Sequence, residues 1–571
     1  MNILGLSALG RDPAAALLRD GKVVTAIEEA KLVRTHSIEG LPDAAIRSCL
    51  DHSQLDWKDL ECVTVATRPS SKWRRQLLFR APLAIFSPTS SAYYLNRSFS
   101  ELGRDLNNMR VLRRKSEATP RGVIALDHQL CHAASAFYAS PLDRALILVL
   151  DEQGDGRAGF VGMGEGTKIR ELNSVSLPHS LAWIYTQLTS LLGFTPHADE
   201  HKLQWLSLAG EPVFSGMFLE MLRQHAAGAP HLNSRYFNRG FSGKLTFSDR
   251  FYQKLGIGAR RGLQIDEAAR ANIAASLQKA MAVLIGEWLE ALRLKTEARS
   301  ACVAGGLFLN PLLVAEIEAN TGFDRLFVQP ASGNEGTALG SAWLAWHQIL
   351  KQPRIQPMCS LYWGPSYTNE EVKRVLDNCK LPYRYCDTDV HQIDEALRLL
   401  DAGKILAWFQ GASEFGRRAL GHRSLLASPW APYVRENLND YVKHRESFRP
   451  FALSIAEDAC SEYFNCSFNG RFMATMATAN AKGRELLQGL PEGFLLKGDL
   501  VRLHVVTAGA NPLLYRLLKK SGEKNPAPIL VNTSFNLFGE PLVVTPRDAV
   551  RSYFCSGADA LIIGNFLLIK S

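Results

Sequence analysis

Two histidines lie four residues apart in the stretch His128-Gln-Leu-Cys-His132. On a helix this spacing places both side chains on one face, as a chelating pair requires. Asp151, at the end of a nearby apolar run, offers a carboxylate. Two histidines with one carboxylate suit Fe(II) or a similar divalent metal. The alternative is two histidines satisfied by neighbouring groups at a helix start, and the spacing alone leaves both interpretations open.

Two glycine-rich turns could bind the phosphates of a nucleotide. They are Ala304–Asn310, with Gly305 and Gly306, and Ser332–Gly340, with Gly333 and Gly336. Paired glycines after a strand let a backbone approach a phosphate, and a glycine-rich turn into a helix N-terminus binds anions. Such turns are common singly, so the prediction of a nucleotide cleft depends on their occurring together.

Cations and polar side chains concentrate in three stretches of the C-terminal third. The stretches are Glu414–Ser424, Lys443–Phe451 and Asn532–Asn536, with candidate residues Arg418, Arg423, Lys443, Arg445, Arg449, Asn532 and Ser534. Arginine forks, a lysine and hydroxyls suit a site for several phosphate oxygens. The alternative is surface ion pairing, in which arginine stems cover apolar surface. The arginines lie among Gly, Phe and Pro, which favours the phosphate site.

Short apolar strands must position these residues. The pattern predicts strands at Asn2–Ser7, Ala14–Leu18, Lys22–Glu28 and Cys62–Thr67, and again at Ala145–Asp151, Gly159–Glu165, Lys168–Val175, Ala301–Ala304 and Leu326–Gln329. Helices are predicted at Pro42–Leu50, within 264–298, at Pro311–Ala319 and at Gly336–His347. Two similar hairpin-rich α/β units in tandem predict the duplicated fold of the actin, sugar-kinase and Hsp70 ATPases, in which a nucleotide lies between related lobes.

An irregular, Pro-rich segment divides the chain. Pro353, Pro357, Gly364 and Pro365 predict a linker at 353–368, because these residues interrupt regular structure. The first domain is therefore predicted at 1–352 and a second α/β domain at 369–571. The second domain is expected to contain helices at Glu370–Cys379 and Val390–Ala402 and a strand at Ile405–Phe409.

The composition is that of a soluble globular protein. Hydrophobic residues make up 46% and charged residues 21% of the 571 residues, which excludes a disordered chain and a collagen-like repeat. The ten cysteines form no CxxC pair, which argues against a zinc ribbon and for a reducing compartment. The N-terminus lacks a basic signal-peptide start, and no apolar run could span a bilayer. We therefore expect a cytoplasmic protein with no membrane partner.

The formal net charge of +9 resides in one segment. Between Arg68 and Arg121 there are twelve basic and three acidic residues, which is the whole excess. This basic segment, 68–121, is interpreted as a solvated helical insertion. The alternative is a docking surface for an anionic acceptor, such as a nucleotide sugar or an acidic carrier protein.

Together these motifs resemble the O-carbamoyltransferases of the nodulation-protein and antibiotic-biosynthesis type, which include tobramycin and cephem carbamoyltransferases. The similarity extends over essentially the whole chain. The matching stretches are Glu28-Glu29 through Arg34, His128–Tyr138, Ala304–Asn310, Gly336–Gly340, Gly416–Ser424, Arg445–Phe451 and Asn532–Asn536. The C-terminal stretches are the most specific of them.

The resemblance implies a two-site enzyme. The N-terminal part would be an ATPase-like domain similar to that of the protein that makes threonylcarbamoyl-adenosine on tRNA, and the C-terminal part a YrdC-like α/β domain. In such enzymes carbamoyl phosphate and Mg-ATP give carbamoyl-adenylate and pyrophosphate in the YrdC-like domain. The adenylate reaches the first domain by an internal route, which keeps water away from unstable species. There, near Fe(II), an acceptor hydroxyl takes the carbamoyl group and AMP leaves.

The resemblance also implies roles for individual residues. The catalytic residues would be Arg11, Asp12, His132, Lys202, Arg418 and Arg449. Carbamoyl phosphate and ATP would be bound by Lys443, Arg418, Arg423, Arg445, Arg449, Arg502, Asn532 and Ser534. The nucleotide in the first domain would contact Gly305, Gly306, Asn310, Gly333 and Gly336, and the metal ligands would be His128, His132, Asp151 and Asn334.

Two positions depart from the family pattern. Arg11 stands where the family has its acceptor-site histidine, and arginine is a poor general base because it stays charged. It could bind an anionic acceptor, the base could instead be His197 or His201, or the second step could be altered or lost. Asn334 stands where the last metal ligand is normally aspartate, and Glu335 could supply the missing carboxylate.

The sequence therefore predicts an ATP-dependent O-carbamoyltransferase. Its acceptor would be a hydroxylated small molecule, a natural product or a sugar, which could be anionic or carrier-bound. One alternative is tRNA threonylcarbamoyl-type transfer, which the basic segment keeps open. Another is a catalytically weakened nucleotide-binding homologue, which the lost histidine and aspartate favour. Nucleic acid is not the expected partner, and a homodimer is left open.

Overall fold

The chain forms two compact units according to its internal contacts. The structure, a computed structural model, describes residues 1–36, 38–71, 88–222, 230–239, 245–258, 265–355 and 357–570, without the side chains of 88–99, 101 and 239. The first unit comprises Met1–Val24, Glu39–Ile46 and Ser53–Pro357, and the second comprises Thr25–Ile38, Arg47–His52 and Met358–Ser571. The boundary near 357 falls inside the predicted linker. A linear division does not anticipate the two N-terminal segments of the second unit.

The first sheet contains five strands. Their spatial order is Lys22–Glu28, Ala14–Arg19, Asn2–Ser7, Cys62–Val65 and Val123–Ala125. Asn2–Ser7 pairs antiparallel with Ala14–Arg19 and parallel with Cys62–Val65. Asp20 and Gly21 have φ of 50° and 80°, the left-handed pair that a two-residue hairpin turn requires. The predicted Asp-Gly hairpin is therefore confirmed.

A second sheet repeats this topology. Its spatial order is Lys168–Ser176, Arg157–Glu165, Arg144–Gly154, Ser300–Ala304 and Arg325–Val328. The first three strands again form an antiparallel meander, and the last two again join in parallel. Both sheets thus have the chain order third, second, first, fourth, fifth, which confirms the predicted duplication.

Helices flank these two sheets. They are Asp43–Ser53, Pro88–Lys115, His128–Ala139, Leu181–Leu191, Glu200–Leu206, Ser215–Met221, Asp249–Leu255, Glu267–Thr296, Pro311–Asn320 and Gly336–Leu344, the last continuing as a π-helical turn, Ala345–Ile349. His128–Ala139 and Gly336–Leu344 pack tightly, because a Cβ on Gly340 would lie 1.8 Å from the carbonyl oxygen of Cys131. This contact fixes the loop before Gly336 beside the histidine-bearing helix.

The second unit is built on an eight-stranded mixed sheet. Its spatial order is Arg384–Tyr385, Phe566–Ile569, Ala560–Ile563, Leu406–Phe409, Arg423–Ala427, Ile529–Ser534, Ala452–Ala456 and Leu503–Val506. A three-stranded sheet, Phe464–Asn465, Ala477–Ala479 and Leu500–Val501, accompanies it. The central strands are buried along their whole length, which explains their continuous apolar sequences.

Helices cover the eight-stranded sheet. They are Glu29–Val33, Asn369–Asn378, Asp389–Asp401, Val434–Glu436 with the π-helical Asn437–Lys443, Glu457–Tyr463, Ala481–Gln488, Pro512–Gly522 and Pro546–Phe554. The helices predicted at Glu370–Cys379 and Val390–Ala402 are confirmed, each beginning and ending one residue earlier. Thr368 and Thr388 cap these two helices with their side chains, which sets their starts.

The basic segment is only partly described. Residues 72–87 and the side chains of 88–99 lie outside the described residues. The helix Pro88–Lys115 confirms the predicted helical insertion. Near its end Met109 and Leu112 are buried while Arg113 and Arg114 are exposed. No helix among the described residues combines the length and apolar character that crossing a bilayer requires.

Candidate functional site

His128, His132 and Asp151 converge in the first unit. Asp127 caps the helix that begins at His128, where its carboxylate accepts a bond from Leu130 N at 3.1 Å. The Nε2 atoms of His128 and His132 lie 3.4 Å and 3.9 Å from Asp151 Oδ2. The ligand atoms of the three residues all lie within 4.8 Å of one another. Within the described part of the chain this is the one such group that could hold a metal.

Orphaned polar atoms support the metal prediction. Both ring nitrogens of His132 and the Oδ1 atom of Asn334 are buried without a hydrogen-bond partner among the described residues. Buried polar atoms without partners are costly, and nitrogen and oxygen atoms of this kind are metal ligands. The carboxylate of Glu335 bends back over Gly333, where an added Cβ would lie 2.4 Å from its Oε2. Asn334 is therefore a candidate for the fourth ligand, and the buried Glu335 carboxylate remains the alternative.

The electrostatics favour the ligating forms of Asp151 and His132, while Asp151 favours the protonated form of His128. Burial and the charge of His128 lower the pKa of His132 to about 3. Burial also lowers the pKa of His128, but the hydrogen bond and charge of Asp151 outweigh it and raise that pKa. Burial raises the pKa of Asp151, but the bond from His128 and the charges of both histidines bring it down to about 2. The carboxylate is thus ionised and His132 is neutral.

A second carboxylate, Asp155, positions the histidine helix. Its Oδ2 accepts a hydrogen bond from His128 N at 3.0 Å, and its Oδ1 accepts one from Thr67 Oγ1 at 2.6 Å. His128 Nδ1 lies 3.0 Å from the carbonyl oxygen of Ala66, so its Nε2 is the nitrogen that faces Asp151. Such partners orient metal ligands. Asp155 was not among the residues predicted from the sequence, although it lies four residues after Asp151.

The predicted nucleotide residues of the first unit have different roles. A Cβ on Gly305 would lie 2.2 Å from Leu150 O, and one on Gly336 would lie 2.0 Å from Ala331 O. These glycines are therefore required by packing against the backbone. At Gly306 the nearest atom to a Cβ is Asp151 Oδ1 at 3.4 Å, so this glycine leaves space beside the histidine cluster.

Asn310 does not have the nucleotide-binding role predicted for it. Its Oδ1 accepts a hydrogen bond from Leu313 N at 3.1 Å, and its Nδ2 donates to Gln278 Oε1 at 2.8 Å. Because both ends of the amide are engaged and the residue is buried, Asn310 caps the helix Pro311–Asn320 and does not face a ligand.

Arg11 lies in a charge-balanced, partly exposed group. It belongs to a short strand, Gly10–Arg11, that pairs with Glu39–Gly40. Its Nε lies 3.6 Å from Glu39 Oε1, and its Nη1 lies 3.3 Å from Glu152 Oε2 and contacts His197 Nδ1. The same His197 nitrogen lies 3.1 Å from Glu152 Oε2. Two carboxylates thus face Arg11, which disfavours the expectation that its charge binds an anionic acceptor.

The predicted residues Asp12, Lys202 and His201 contact groups close to them in the chain. Asp12 has φ of 52°, and its carbonyl oxygen accepts a bond from Ser7 Oγ at 3.3 Å. Lys202 Nζ lies 3.2 Å from Asp199 Oδ1. His201 Nδ1 lies 3.1 Å from the carbonyl oxygen of Ala198. Of the two histidines proposed as a base, His197 contacts Arg11.

Five cations converge in the second unit. Burial, reinforced by Arg445 and Arg449, holds the pKa of Lys443 well below its usual range. Burial and the charges of Arg418, Arg445 and Arg449 do the same to Arg502. Burial lowers the pKa of Arg418 to about 10, and burial with Arg449 lowers that of Arg445 to about 9. The group is an accumulation of positive charge, offset in part by Glu446, whose Oε2 lies 3.6 Å from Arg449 Nη1, and we call it the cation cluster.

Polar groups surround the cation cluster. Lys443 Nζ donates to Ser534 O at 2.8 Å, to Ser534 Oγ at 3.2 Å and to Asn536 Oδ1 at 2.6 Å. Arg445 Nε donates to Asn439 Oδ1 at 3.0 Å, while its Nη2 is buried without a partner among the described residues. Donors left available in this way are those that phosphate oxygens bind.

Comparison with known proteins identifies the family. Models of the carbamoyltransferase N-terminus and of the carbamoyltransferase C-terminus match residues 2–343 and 397–570. The chain belongs to the carbamoyltransferase family. It is therefore a transferase, and the two clusters lie one in each matched part.

This carbamoyltransferase has relatives of similar length. It is 30% identical to an uncharacterized protein of Synechocystis sp., covering 100% of this chain and 97% of the relative. It is 28% identical to the nodulation protein NolNO of Sinorhizobium fredii, covering 98% and 79%. It is 29% identical to the 3'-hydroxymethylcephem-O-carbamoyltransferase of Amycolatopsis lactamdurans, over 43% of this chain and 44% of the relative.

Solved structures resemble the carbamoyltransferase only remotely. HypF of T. kodakarensis aligns at 12% identity with a TM-score of 0.35, covering 63% of this chain and 49% of that one. Component A of the Acidaminococcus fermentans (R)-2-hydroxyglutaryl-CoA dehydratase aligns at 12% identity with a TM-score of 0.30, covering 60% and 96%.

Arg423 of the carbamoyltransferase does not have the phosphate-binding role predicted for it. Its side chain is fully buried and donates to the carbonyl oxygens of Gln410 at 2.5 Å, Gly411 at 3.0 Å and Pro365 at 3.2 Å. Its guanidinium also stacks 3.6 Å from the centre of the Phe409 ring. These contacts use the fork, so Arg423 holds loops together and does not bind phosphate.

Asn532 and Glu414 also organise the second unit. Asn532 Nδ2 donates to Ser454 Oγ at 3.0 Å and lies 3.3 Å from His504 Nδ1, while its Oδ1 is buried without a partner among the described residues. Glu414 Oε1 accepts bonds from the backbone nitrogens of Leu420, His422 and Arg423 at 2.8–3.1 Å. The buried Glu414 carboxylate thus closes the loop that carries Arg418.

Proposed function

We propose that this carbamoyltransferase forms carbamoyl-adenylate in a YrdC-like second unit and transfers the carbamoyl group in an ATPase-like first unit. The acceptor is a hydroxyl of a small molecule, and AMP is the leaving group. The observation that carries the proposal is the cation cluster of Arg418, Lys443, Arg445, Arg449 and Arg502. Lys443 is buried and the four arginines are partly buried. Nearby negative charge stabilises cations in such a group, and carbamoyl phosphate with Mg-ATP supplies it.

The first step consumes water and releases inorganic phosphate and pyrophosphate. Water cleaves carbamoyl phosphate to carbamate and inorganic phosphate. The carbamate oxygen then attacks the α-phosphorus of ATP and displaces pyrophosphate. Arginine forks bind phosphate oxygens in pairs, so Arg418, Arg449 and Arg502 hold the two polyanions against each other. Lys443, which Ser534 and Asn536 orient, supplies a further charge as negative charge develops.

The second step is assigned to the first unit. A divalent metal such as Fe(II), held by His128, His132, Asp151 and Asn334, would supply Lewis-acid polarisation of the carbamoyl carbonyl. We expect the adenylate to pass beside Gly306, where a Cβ would lie 3.4 Å from Asp151 Oδ1.

His197 is our candidate base for the acceptor hydroxyl. Its Nδ1 either accepts from Arg11 or donates to Glu152, and these contacts need opposite tautomers. In the tautomer that donates to Glu152, Nε2 can take the hydroxyl proton. His197→Asn should then slow AMP release in the presence of an acceptor and leave pyrophosphate release unchanged. Equal loss of both activities would remove His197 from this role.

The two half-reactions give the test of the function. Metal-loaded enzyme should release pyrophosphate only when ATP and carbamoyl phosphate are both present, and AMP only when a hydroxylated acceptor is added. Nuclease treatment should leave both activities intact, since no RNA takes part. Absence of both products would refute the first step. Pyrophosphate release without a carbamoylated product across a broad acceptor panel would support a weakened homologue.

A further inference from the structure

An N-terminal segment of the chain is part of the second unit. Residues Thr25–Ile38, which we call the N-terminal strap, group with Met358–Ser571 by their contacts. The strap contains the end of the strand Lys22–Glu28 and the helix Glu29–Val33. Ala26 N donates to Trp363 O at 2.9 Å. The strap thus joins the second unit although more than three hundred residues of chain intervene.

A buried ion pair of the strap holds the loop that leads to Arg418. Lys31 Nζ donates to the carbonyl oxygens of Glu414 at 2.6 Å and Gly416 at 2.8 Å. Glu28 Oε2 lies 3.0 Å from Lys31 Nζ, and Glu28 Oε1 accepts a bond from Gly416 N at 2.7 Å. Only 4% of Lys31 and 7% of Glu28 are exposed. A buried pair of this kind is tolerated only when further hydrogen bonds satisfy it, and here the loop supplies them.

The same loop is fixed at its far end by Glu414. Its Oε1 accepts hydrogen bonds from the backbone nitrogens of Leu420, His422 and Arg423. Arg418 therefore lies between a stretch held by the strap, at Glu414 and Gly416, and a stretch held by the Glu414 carboxylate. A shift of the strap contacts would displace the Arg418 guanidinium relative to the rest of the cation cluster.

Arg34 connects the strap to the loop around Lys443. It donates to the carbonyl oxygens of Leu542 at 2.5 Å and Pro541 at 2.8 Å, and to Glu540 Oε2 at 3.0 Å. The carbonyl oxygen of Glu540 accepts a bond from Asn536 Nδ2. Asn536 Oδ1 in turn accepts a bond from Lys443 Nζ at 2.6 Å. One strap thus reaches both polar loops of the cation cluster.

We propose that Glu28, Lys31 and Arg34 are positioning residues of the carbamoyl phosphate and ATP site. They place Arg418 and Lys443 at the separation that two polyanions require, although none of them touches a ligand. This inference rests on the proposed function of the second unit. Apolar residues could attach the strap without the free-energy cost of burying charges. The charged residues of the strap instead contact the loop that carries Arg418 and the loop that hydrogen-bonds Lys443.

The test measures ligand binding and the first half-reaction in full-length variants. Lys31→Met and Arg34→Lys should each raise the KM for carbamoyl phosphate and the Kd for pyrophosphate by roughly tenfold to a hundredfold, as expected for a lost charged hydrogen bond. Pyrophosphate binding, followed by calorimetry, needs no turnover. Arg34→Lys keeps the charge and serves where Lys31→Met fails to fold.

Arg354→Lys is the matched control. Arg354, in the first unit, also donates to backbone carbonyl oxygens, here those of Leu142, Phe137 and Ser140. The Arg354→Lys variant should lower the melting temperature about as much as Arg34→Lys does and leave pyrophosphate binding unchanged. Strap variants that bind pyrophosphate like the unmodified protein would overturn the inference. Failure of the proposed function would appear instead as an unmodified protein that releases no pyrophosphate, while the binding comparison would still decide the role of the strap.

Discussion

The two clusters of this carbamoyltransferase suit ligands of opposite charge. In the first unit the ionised Asp151 faces His128 and the neutral His132, whose ring nitrogens lack hydrogen-bond partners among the described residues. In the second unit Lys443 and Arg502 have pKa values well below their usual range because they are buried with other cations. The first arrangement suits a cation and the second suits anions. Each cluster therefore selects one partner of the proposed reaction.

The contrast also separates structural cations from functional ones. Arg423 and Arg418 lie five residues apart, the first fully buried and the second partly exposed, and both have a lowered pKa. The neighbours of Arg423 are carbonyl oxygens and the Phe409 ring. The charge of Arg418 instead depresses the pKa of Arg502. Burial of an arginine thus does not by itself mark a phosphate site, and the nature of its neighbours decides.

The largest expected effect is at Arg418. Arg418→Ala should lower pyrophosphate release by about a thousandfold, since it removes a charged fork from the developing transition state. Transfer from externally supplied carbamoyl-adenylate should remain. Arg423→Ala is the comparison: it should lower the free energy of unfolding by about 3 kcal/mol, because buried carbonyl oxygens lose charged donors. If the two variants had the same phenotype, the distinction between these arginines would be wrong.

The second effect is in the other cluster. His132→Ala should lower bound metal and carbamoyl transfer by about a hundredfold, as expected for loss of a ligand, and leave pyrophosphate release intact. Metal content measured by elemental analysis checks the first result without turnover. Asp155→Asn, which only weakens the support of His128, should lower metal affinity by roughly tenfold. Loss of pyrophosphate release in His132→Ala would contradict the assignment of separate steps to the two units.

The local elements could be predicted from sequence because their signals are local. The strands Asn2–Ser7 and Lys22–Glu28 match their predicted bounds, since apolar runs and an Asp-Gly turn determine them. The placement of His128 and His132 on one helix face followed from their spacing of four residues. These parts of the fold and site need no knowledge of the tertiary structure.

The remaining features depend on long-range contacts. The bonds from Lys31 join residues 383 and 385 positions apart, and no periodicity predicts them. Arg418 and Arg423 are alike in sequence and differ only in what packs around them. Asn310 was expected to contact the nucleotide because it belongs to a stretch that resembles the family, but its amide is used to cap a helix. Sequence thus predicts which groups are present more readily than what they contact.

A smaller effect should appear as proton exchange at the cation cluster. Burial and like charge lower the pKa of Lys443, and a bound polyanion should raise it again. Pyrophosphate binding should therefore take up protons, by less than about one per site, and weaken as pH rises through the lowered pKa. The ligand-free protein should show the opposite trend, because above that pKa the unfolded chain binds more protons and stability rises with pH. Calorimetry in buffers of different ionisation enthalpy measures the uptake, and identical heats would contradict it.

The smallest effect is expected from the basic helix Pro88–Lys115. Its described end buries Met109 and exposes Arg113 and Arg114, which is the pattern of a solvated helix face. Arg113→Glu combined with Arg114→Glu should change the acceptor KM by less than about twofold at physiological salt, where exposed charges are screened. A rise in acceptor KM with unchanged pyrophosphate release would instead make this face a docking surface. An anionic acceptor would then be recognised by the helix and not by Arg11, whose charge Glu39 and Glu152 already balance.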